Sequence, residues 1–170
     1  MVMWIIGLSG AGKTTLAEKI YNISKPNKPN TVLIDGDVIR EIFDNDLGHT
    51  MEDRMKNAKR ISKLCYFLNL HNINVICSIL SLFQSSRDWN RENIKDYFEG
   101  YIKTPISNLI ERDSKGIYEK YKDGMIKNVA GLDLDFEEPL KSDLIIENNK
   151  GIEDLLEHSL FLSDLLKEKK

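Results

Sequence analysis

Residues 7–14, GLSGAGKT, match the phosphate-binding pattern G-x-x-x-x-G-K-[ST] at every fixed position. An apolar, β-prone run precedes this segment, the P-loop, and a helix-prone segment follows it. Glycines allow backbone N–H groups to surround a phosphate, and the N-terminus of the following helix adds partial positive charge. The alternative is an ordinary glycine-rich turn between a strand and a helix. The strand–loop–helix setting favours the phosphate site and predicts an α/β fold.

The P-loop side chains have defined chemical roles in such a site. Lys13 is expected to reach the β- and γ-phosphates of a nucleotide, and the Thr14 hydroxyl is expected to bind Mg²⁺. We therefore predict that Lys13 is catalytic and that Thr14 is a metal ligand. The other P-loop residues predicted to bind the nucleotide are Gly7, Ser9, Gly10, Ala11, Gly12 and Thr15.

Length and charge limit the possible partners. The chain has 170 residues, the size of one domain, and its formal net charge of −3 gives no general attraction to nucleic acid or anionic membranes. The longest apolar run, residues 75–83, is too short to span a bilayer. Cys65 and Cys77 lack metal-binding or C-x-x-C spacing, so we expect them in the core of a cytoplasmic protein. No basic-then-apolar leader precedes the first strand.

Short apolar segments alternate with helical patterns along the whole chain. This alternation predicts a parallel sheet covered by helices on both faces, with functional sites at the carboxyl ends of its strands. Because no repeat or linker interrupts it, we predict a single domain over residues 1–170. The predicted strands are 2–8, 31–35, 74–80, 98–103 and 142–147, and the predicted helices are 13–24, 38–43, 52–70, 106–112 and 152–167.

Two carboxylates follow the second predicted strand, in Asp35-Gly36-Asp37, and Arg40 lies three residues further on. Asp37 and Arg40 share one face of a helix that begins near Asp37. Beside a P-loop, one carboxylate can orient or deprotonate an attacking hydroxyl while the other supports the metal. The sequence leaves open which of the two serves the metal. The alternative is a helix cap followed by a solvated turn.

The longest predicted helix carries polar residues at the start of a buried stripe. The stripe runs through positions 54, 57, 61, 64 and 68, and its first two members are Arg54 and Asn57. We expect both side chains to face the same cleft as Arg40. Two arginines there predict a substrate with a phosphate-like group. The alternative is an exposed helix start with ordinary charges.

A charged, glycine-flanked segment, GIYEKYKDG, occupies residues 116–124. It predicts a lid at about 114–127 that closes over the phosphates and excludes water, which would otherwise compete with an acceptor hydroxyl. The alternative is a solvated surface helix.

From residue 4 to residue 148 the chain resembles the adenylylsulfate kinase family. The motifs before residue 90 that carry the resemblance are GLSGAGKTTLA at 7–17, IDGD at 34–37 with Arg40, DLG at 46–48, EDR at 52–54 with Asn57 and Arg60, and SRD at 86–88. The later motifs are ERDSKGIYEKYKDG at 111–124, IK at 126–127, GLD at 131–133 and EEP at 137–139.

The resemblance implies a P-loop kinase fold with a central parallel sheet of about five strands. It implies transfer of the ATP γ-phosphate, with Mg²⁺, to the ribose 3′-hydroxyl of a small nucleotide that carries a 5′ anhydride. It also implies a homodimer. By this resemblance Asp37 and Ser81 join Lys13 as the predicted catalytic residues, with Asp37 near the acceptor hydroxyl and Ser81 against substrate phosphates. The residues implied in acceptor binding are Asp35, Arg40, Arg54 and Asn57, with Lys127 closing over the acceptor. Arg112 is implied to lie against the ATP adenine.

The departures from the family pattern concern the acceptor base. The family holds the acceptor adenine between two phenylalanines, and the matching residues here are Ile79 and Val129. Base stacking on a ring is worth about 1–3 kcal/mol, so this base site without aromatic walls disfavours adenine. In addition, Leu82-Phe83-Gln84 replaces Pro-Tyr-Arg, and Val38 replaces an asparagine.

One branch of the family, the cytidine diphosphoramidate kinases of capsule phosphoramidate synthesis, is the most similar. This resemblance implies cytidine diphosphoramidate as the acceptor. The first alternative is an adenylylsulfate kinase that makes 3′-phosphoadenylylsulfate with an altered base site. The second is a non-enzymatic P-loop switch, although the sequence lacks the N-K-x-D motif of GTP-binding switches.

Overall fold

The computed structural model describes residues 1–166, which form a five-stranded sheet with the strand order β2-β3-β1-β4-β5. Each neighbouring pair of strands is parallel. The α/β prediction is therefore confirmed. The strands are β1 (Val2–Ile6), β2 (Thr31–Asp35), β3 (Asn74–Ile79), β4 (Tyr97–Lys103) and β5 (Leu144–Glu147).

Strand β1 occupies the centre of the sheet, between β3 and β4. All of its residues are buried, as expected for a continuous apolar strand that is covered on both faces. Its side chains alternate between the two cores: Met3 packs with α1 and α7 residues, and Trp4 packs with α2 and α3 residues. The helices are α1 (Lys13–Ser24), α2 (Gly36–Ile42), α3 (Met51–Leu70), α4 (Gln84–Asn93), α5 (Ile106–Arg112), α6 (Ile117–Lys122) and α7 (Ile152–Leu165).

Several helix boundaries differ from the predicted ones because of local capping. Helix α2 begins at Gly36 rather than 38, since the Asp35 side chain accepts a hydrogen bond from the Asp37 N–H. Thr50 caps α3 in the same way by accepting from the Asp53 N–H. Helix α7 ends at Leu165, and residue Lys167, its predicted end, lies outside the described residues.

Helix α4 was missed by the sequence analysis. Its buried residues are Ser86, Arg87 and Asn90, so it has no apolar stripe that a helical pattern could reveal. The predicted stripe of α3 is also partly wrong. The fully buried positions of α3 are 57, 58, 61, 62 and 65, whereas 64 and 68 are only half-buried. The buried face is therefore rotated from the predicted one.

The cysteines occupy the core position that the sequence predicts. Cys65 and Cys77 are both buried as free thiols, and burial raises the pKa of the Cys77 thiol well above its ordinary value. Within residues 1–166, no helix is both long and apolar enough to cross a bilayer.

Candidate active site

The P-loop joins β1 to α1 through two positions that require glycine. Gly7 has φ +155°, and a Cβ there would lie 2.7 Å from the carbonyl oxygen of Ile102. Gly12, the residue before α1, has φ +97°, and a Cβ there would lie 2.5 Å from Leu155 Cδ2. Both glycines allow the loop to pack closely and leave the α1 N-terminus facing the cavity of the site.

Lys13 folds back over the P-loop. Its Nζ donates a hydrogen bond of 2.8 Å to the carbonyl oxygen of Leu8. Burial and the positive charge of Lys115 lower the pKa of Lys13 to about 8, while Asp37 and Asp35 partly oppose the shift. A half-buried ammonium held by a neutral carbonyl is electrostatically suited to an anionic ligand such as phosphate.

The Thr14 hydroxyl belongs to a small oxygen-rich cluster. It donates to Asp35 Oδ2 at 2.9 Å and lies 3.3 Å from the hydroxyl oxygen of Ser78, which the sequence analysis did not predict. Asp35, rather than Asp37, is therefore the carboxylate in contact with Thr14.

These residues fit a magnesium ion. Mg²⁺ prefers oxygen ligands and is usually held by one or two protein groups together with phosphates and water. Thr14 and Asp35 supply such oxygens at the phosphate-binding loop. Among residues 1–166, no group of three or more His, Cys, Asp or Glu side chains could hold a metal alone. The remaining ligands would therefore have to come from the nucleotide and from water.

Asp37 is paired with Lys115, which the sequence analysis also missed. The Lys115 Nζ lies 3.0 Å from Asp37 Oδ2. Partial burial would raise the pKa of Asp37, but the hydrogen bond and charge of Lys115, with Lys13 and Arg40, outweigh it and hold this pKa below its ordinary value. Asp37 is therefore ionised at neutral pH and can accept a hydrogen bond.

The predicted lid segment is seated on the P-loop. The buried Tyr118 of α6 donates its hydroxyl hydrogen to the carbonyl oxygen of Ser9 at 2.9 Å. The Asp113 carboxylate accepts from the N–H groups of Tyr118 and Glu119 and so fixes the start of α6. Tyr118 thus anchors one side of α6, whereas Glu119, Lys120 and Lys122 are exposed, so the choice between a lid and a solvated surface helix stays open. Motion of this segment stays a prediction.

Two adjoining cavities meet at the P-loop. The P-loop cavity, of about 330 Å³, contains Gly10, Gly12 and Thr15 in its lining together with Arg112. The second, the central cavity, has a volume of about 320 Å³. The residues that line both are Lys13, Thr14 and Lys115. A group that passes from one cavity to the other would thus pass these three side chains.

Asn148 connects the P-loop to Arg112 at the edge of the P-loop cavity. Asn148, just after β5, donates through its side chain to the carbonyl oxygen of Ala11 at 3.0 Å. Its own carbonyl oxygen accepts from the Arg112 guanidinium at 3.2 Å. Asn148 therefore links the P-loop to the arginine predicted to contact adenine, a role that the sequence analysis did not identify.

Most residues predicted to bind the acceptor converge on the central cavity. They come from α2, α3, the end of β3 and the segment after the lid. The predicted residues that line this cavity are Ser9, Lys13, Thr14, Asp35, Asp37, Arg40, Arg54, Ile79, Lys127 and Val129.

Asn57 and Ser81 line a smaller cavity of about 60 Å³, the arginine pocket, which shares Asp37, Arg40 and Arg54 with the central cavity. The Asn57 side chain is buried, and its Oδ1 has no hydrogen-bond partner. Such an orphaned polar atom next to two guanidinium groups favours a polar ligand in this pocket.

Ser81 is held in a specific conformation at the end of β3. Its φ is +52°, and its hydroxyl oxygen accepts a hydrogen bond of 3.1 Å from the buried Trp4 indole. Arg87 donates to the Ser81 carbonyl oxygen. The hydroxyl hydrogen of Ser81 can still donate to a ligand in the arginine pocket.

The two arginines also organise the backbone around the central cavity. Arg40 Nη1 donates to the carbonyl oxygens of Leu47 and Gly48 at 3.0 and 2.8 Å. Arg54 donates from Nε to His49 O at 2.9 Å and from Nη2 to Asn128 O at 2.8 Å. Burial and the charge of Arg40 lower the pKa of Arg54. Two neighbouring cations with donors left over are suited to an anion.

The two aliphatic residues of the predicted base site lie at the central cavity, and binding of a base between them stays a prediction. Ile79 and Val129 do line the central cavity, and each is less than 10 % exposed. However, the imidazole of His49 lines the same cavity. The sequence analysis missed His49 because it lies in a loop that has no periodic pattern.

A further cavity lies elsewhere among the described residues. It has a volume of about 510 Å³ and is bordered by Tyr101, Lys103 and Phe136 near the ends of β4 and β5. None of the predicted site residues lines it. The chemistry indicated by the sequence is therefore confined to the two smaller cavities beside the P-loop and to the arginine pocket.

Comparisons with known proteins agree with this geometry. A family model described as adenylylsulphate kinase matches residues 1–147. A cytidine diphosphoramidate kinase from Campylobacter jejuni is 38% identical over 151 residues, which cover 87% of this chain and 86% of the relative. An adenylyl-sulfate kinase from Halothermothrix orenii is 35% identical over 150 residues, which cover 88% and 81%.

One solved structure has a closely similar fold. It is the Mycobacterium tuberculosis APS kinase CysC in complex with AMPPNP and APS. The match has a TM-score of 0.85 at 27% identity and covers 97% of this chain and 96% of the other. The P-loop kinase fold is therefore confirmed.

Proposed function

Because the chain belongs to the adenylylsulphate kinase family, we propose that it transfers the γ-phosphoryl group of ATP to the ribose 3′-hydroxyl of cytidine diphosphoramidate, in capsule phosphoramidate synthesis. The relatives support a nucleotide kinase in general, and their names differ in the acceptor. The observation that carries the proposal is the pair of adjoining cavities that share Lys13, Thr14 and Lys115.

On the donor side, the P-loop N–H groups and Lys13 bind the ATP phosphates, and Arg112 lies against the adenine. Thr14, supported by Asp35, holds Mg²⁺. When bound, Mg²⁺ neutralises charge on the phosphate oxygens. Lys13 is suited to this role because its ammonium group is half-buried and no carboxylate among the described residues is within salt-bridge distance of it.

On the acceptor side, the Asp37 carboxylate accepts a hydrogen bond from the 3′-hydroxyl and takes its proton during transfer. Before the acceptor binds, Lys115 forms an ion pair with this carboxylate. The incoming hydroxyl replaces that contact, and Lys115 is then available to pair with the oxygens of the moving phosphoryl group. The lid segment lies over the P-loop, to which the Tyr118 hydroxyl is hydrogen-bonded, and so keeps Lys115 close to the phosphates.

The 5′ anhydride of the acceptor binds in the arginine pocket. Arg40 and Arg54 supply positive charge, and Asn57 and Ser81 supply polar atoms. Charge-assisted hydrogen bonds of this kind contribute about 1.5–3 kcal/mol each. The adjoining central cavity then receives the ribose and base, with Lys127 and Val129 in its wall.

Two observations support cytidine rather than adenine as the base. The central cavity has aliphatic Ile79 and Val129 in its wall, and the Campylobacter jejuni relative acts on a cytidine nucleotide by its name. The second candidate is an adenylylsulfate kinase, favoured by the Halothermothrix orenii relative and by the APS complex of the structural neighbour. A non-enzymatic switch needs no cavity for a second substrate beside the phosphate site, so the central cavity disfavours this alternative.

We also propose that residues 1–170 form one kinase domain with a mobile lid at about 114–127, located in the cytoplasm and assembled as a homodimer. These statements rest on the sequence pattern and the family. Size-exclusion chromatography with light scattering measures the oligomeric state directly.

The test uses purified protein with Mg-ATP and one acceptor at a time, and measures ADP formation. We expect turnover with cytidine diphosphoramidate and none with its 3′-deoxy analogue, since the 3′-hydroxyl receives the phosphate. Lys13→Ala should abolish the signal, which excludes a contaminating kinase, whereas Lys19→Ala on the exposed side of α1 should not. Equal turnover of the 3′-deoxy analogue would refute the assigned position of transfer.

A further inference from the structure

The cavity of about 510 Å³ at the carboxyl ends of β4 and β5 is here named the outer cavity. Tyr101 and Lys103 of β4 and Glu147 of β5 line it from the sheet, and the 131–138 segment, which includes Phe136, supplies a further part of its wall. None of its lining residues lines the P-loop cavity, the central cavity or the arginine pocket. The transfer chemistry described above leaves this space unused.

Both ends of the 131–138 segment are fixed. At its start, the Gly131 N–H donates a hydrogen bond of 2.8 Å to the carbonyl oxygen of Leu134, which closes a tight turn. At its end, the Lys103 Nζ of β4 pairs with Glu138 Oε2 at 2.8 Å and so ties the segment to the sheet. The wall of the outer cavity is therefore formed before any ligand binds, as is usual for small-molecule sites.

The Tyr101 side chain brings an unpartnered polar group to the outer cavity. Tyr101 is only 4% exposed, and its hydroxyl makes no hydrogen bond to any of the described residues. The Thr104 hydroxyl, in the same lining, also lacks a partner but is fully enclosed, whereas the Tyr101 oxygen is not. Burial and the negative charge of Glu138, which lines the same cavity, raise the pKa of Tyr101 to about 12. A neutral hydroxyl that is free to bond a ligand therefore opens into this space.

The charges that line the outer cavity do not balance. Its charged residues are Lys103, Asp135, Glu138 and Glu147. The Lys103–Glu138 ion pair is neutral as a unit, so the carboxylates of Asp135 and Glu147 are left without an ion-pair partner among the described residues. Two unbalanced negative charges attract a cation and repel a nucleotide or any other anion. Because the Phe136 ring in the same wall can pack on methylene groups, the cavity fits a ligand that combines positive charge with an apolar stem.

We propose that the outer cavity binds a small aliphatic diamine, whose two ammonium groups pair with Asp135 and Glu147 and whose methylene stem lies against Leu132 and Phe136. Both carboxylates belong to exposed residues, so the ammonium groups lie at the rim and the stem lies within. An ammonium group has three donors and no acceptor, and the Tyr101 hydroxyl oxygen accepts from one of these donors. The site involves neither ATP nor the nucleotide acceptor.

The experiment titrates the full chain with 1,5-diaminopentane by calorimetry, in about 0.15 M salt and without nucleotide, so that weak surface attraction is screened. Pentane-1,5-diol has the same stem without charge, and glutarate has a similar stem with the opposite charge. The variants are the double change Asp135→Asn with Glu147→Gln, and Tyr101→Phe, which leaves every charge in place. The matched control is Glu18→Gln with Glu157→Gln, two exposed carboxylates of α1 and α7 outside the outer cavity.

We expect saturable binding of the diamine to the wild type and no binding of the diol or of glutarate. The double change at Asp135 and Glu147 should raise the Kd at least about fivefold, because both ion pairs are lost. Tyr101→Phe should raise the Kd about two- to threefold through the loss of one hydrogen bond. The control at Glu18 and Glu157 should change the Kd less than about twofold, although it removes the same number of charges.

Three results overturn the proposal: no saturable binding of the diamine, equal binding of the diol, or an equal loss in the control and in the cavity variant, which would show a general attraction to a negatively charged protein. An unchanged Kd in Tyr101→Phe removes the hydroxyl from the site. Because no nucleotide is present, failure here leaves the proposed kinase function intact. Failure of the kinase assay likewise leaves the diamine titration unaffected.

Discussion

The two halves of the site are built in different ways. The P-loop, residues 7–15, supplies half of the residues that line the donor half, and it packs so closely that Gly7 and Gly12 have no room for a side chain. The others, among them Arg112, Lys115 and Asn148, come from the region at the start of the lid and from the residues after β5. The acceptor half is assembled from α2, the 47–49 loop, α3 and the residues after the lid. The first depends on backbone geometry, and the second depends on side chains from distant parts of the chain.

This difference indicates how specificity can change in such a fold. A substitution in the donor half disturbs backbone packing and with it the chemistry of transfer. A substitution in the wall of the central cavity, such as at Val129 or His49, can change which base is preferred without disturbing the P-loop. Lys115 is the exception, because it lines both cavities and contacts Asp37 directly.

The largest effect is expected at Asp37, the carboxylate that we propose takes the proton of the acceptor hydroxyl. Asp37→Asn removes the carboxylate that we propose accepts the hydroxyl proton, and it also removes the ionic partner of Lys115. We expect kcat to fall about 10²- to 10⁴-fold while the KM for ATP changes little, measured by ADP release. The matched control is Glu41→Gln, an exposed residue of the same helix. Near-normal turnover of Asp37→Asn would show that its role is misassigned.

An intermediate effect is expected at Arg54, which belongs to the acceptor half alone. Arg54→Lys keeps the charge, but a lysine cannot bridge the carbonyl oxygens of His49 and Asn128 as the guanidinium does. The acceptor KM should rise about 10- to 100-fold with an unchanged KM for ATP. Lys56→Ala, an exposed change on α3, is the control. An equal rise in both KM values would contradict the separation of the two halves.

The smallest effect is expected in the pH dependence of kcat/KM for ATP, which reports on the donor half. The pKa of Lys13 is lowered to about 8 by burial and by Lys115. Lysine is charged below its pKa, so kcat/KM for ATP should be maintained below pH 8 and fall as the pH rises further.

Lys115→Gln removes a positive charge beside Lys13 and should move this decline to higher pH. Lys122→Gln, on the exposed side of α6, should leave it in place. A decline at the same pH in all three proteins would exclude Lys13 as the titrating group.

Most of the donor half could be predicted from the sequence, because a contiguous motif specifies both its backbone and its side chains. The sheet was also predictable, since each strand is a short apolar run. Ser78, Asn148 and Lys115 were not, because they enter the site only through contacts between distant segments. No local pattern marks such residues.

The acceptor half was even harder to predict from the sequence, for the same reason. The positions of Arg40 and Arg54 followed from helix spacing, and both do line the central cavity. Their hydrogen bonds to the 47–49 loop could not be predicted, because they depend on how α2 and α3 pack together. His49 was therefore overlooked, and helix α4 was missed because its buried face is polar.

The central claim is that transfer chemistry is retained while the base site is adapted to cytidine. The most direct measurement is a competition, with equal concentrations of cytidine diphosphoramidate and adenylylsulfate in one reaction and limiting Mg-ATP. The ratio of the two 3′-phosphorylated products equals the ratio of the kcat/KM values. The account predicts an excess of the cytidine product of at least about tenfold. An equal or larger amount of 3′-phosphoadenylylsulfate would contradict it.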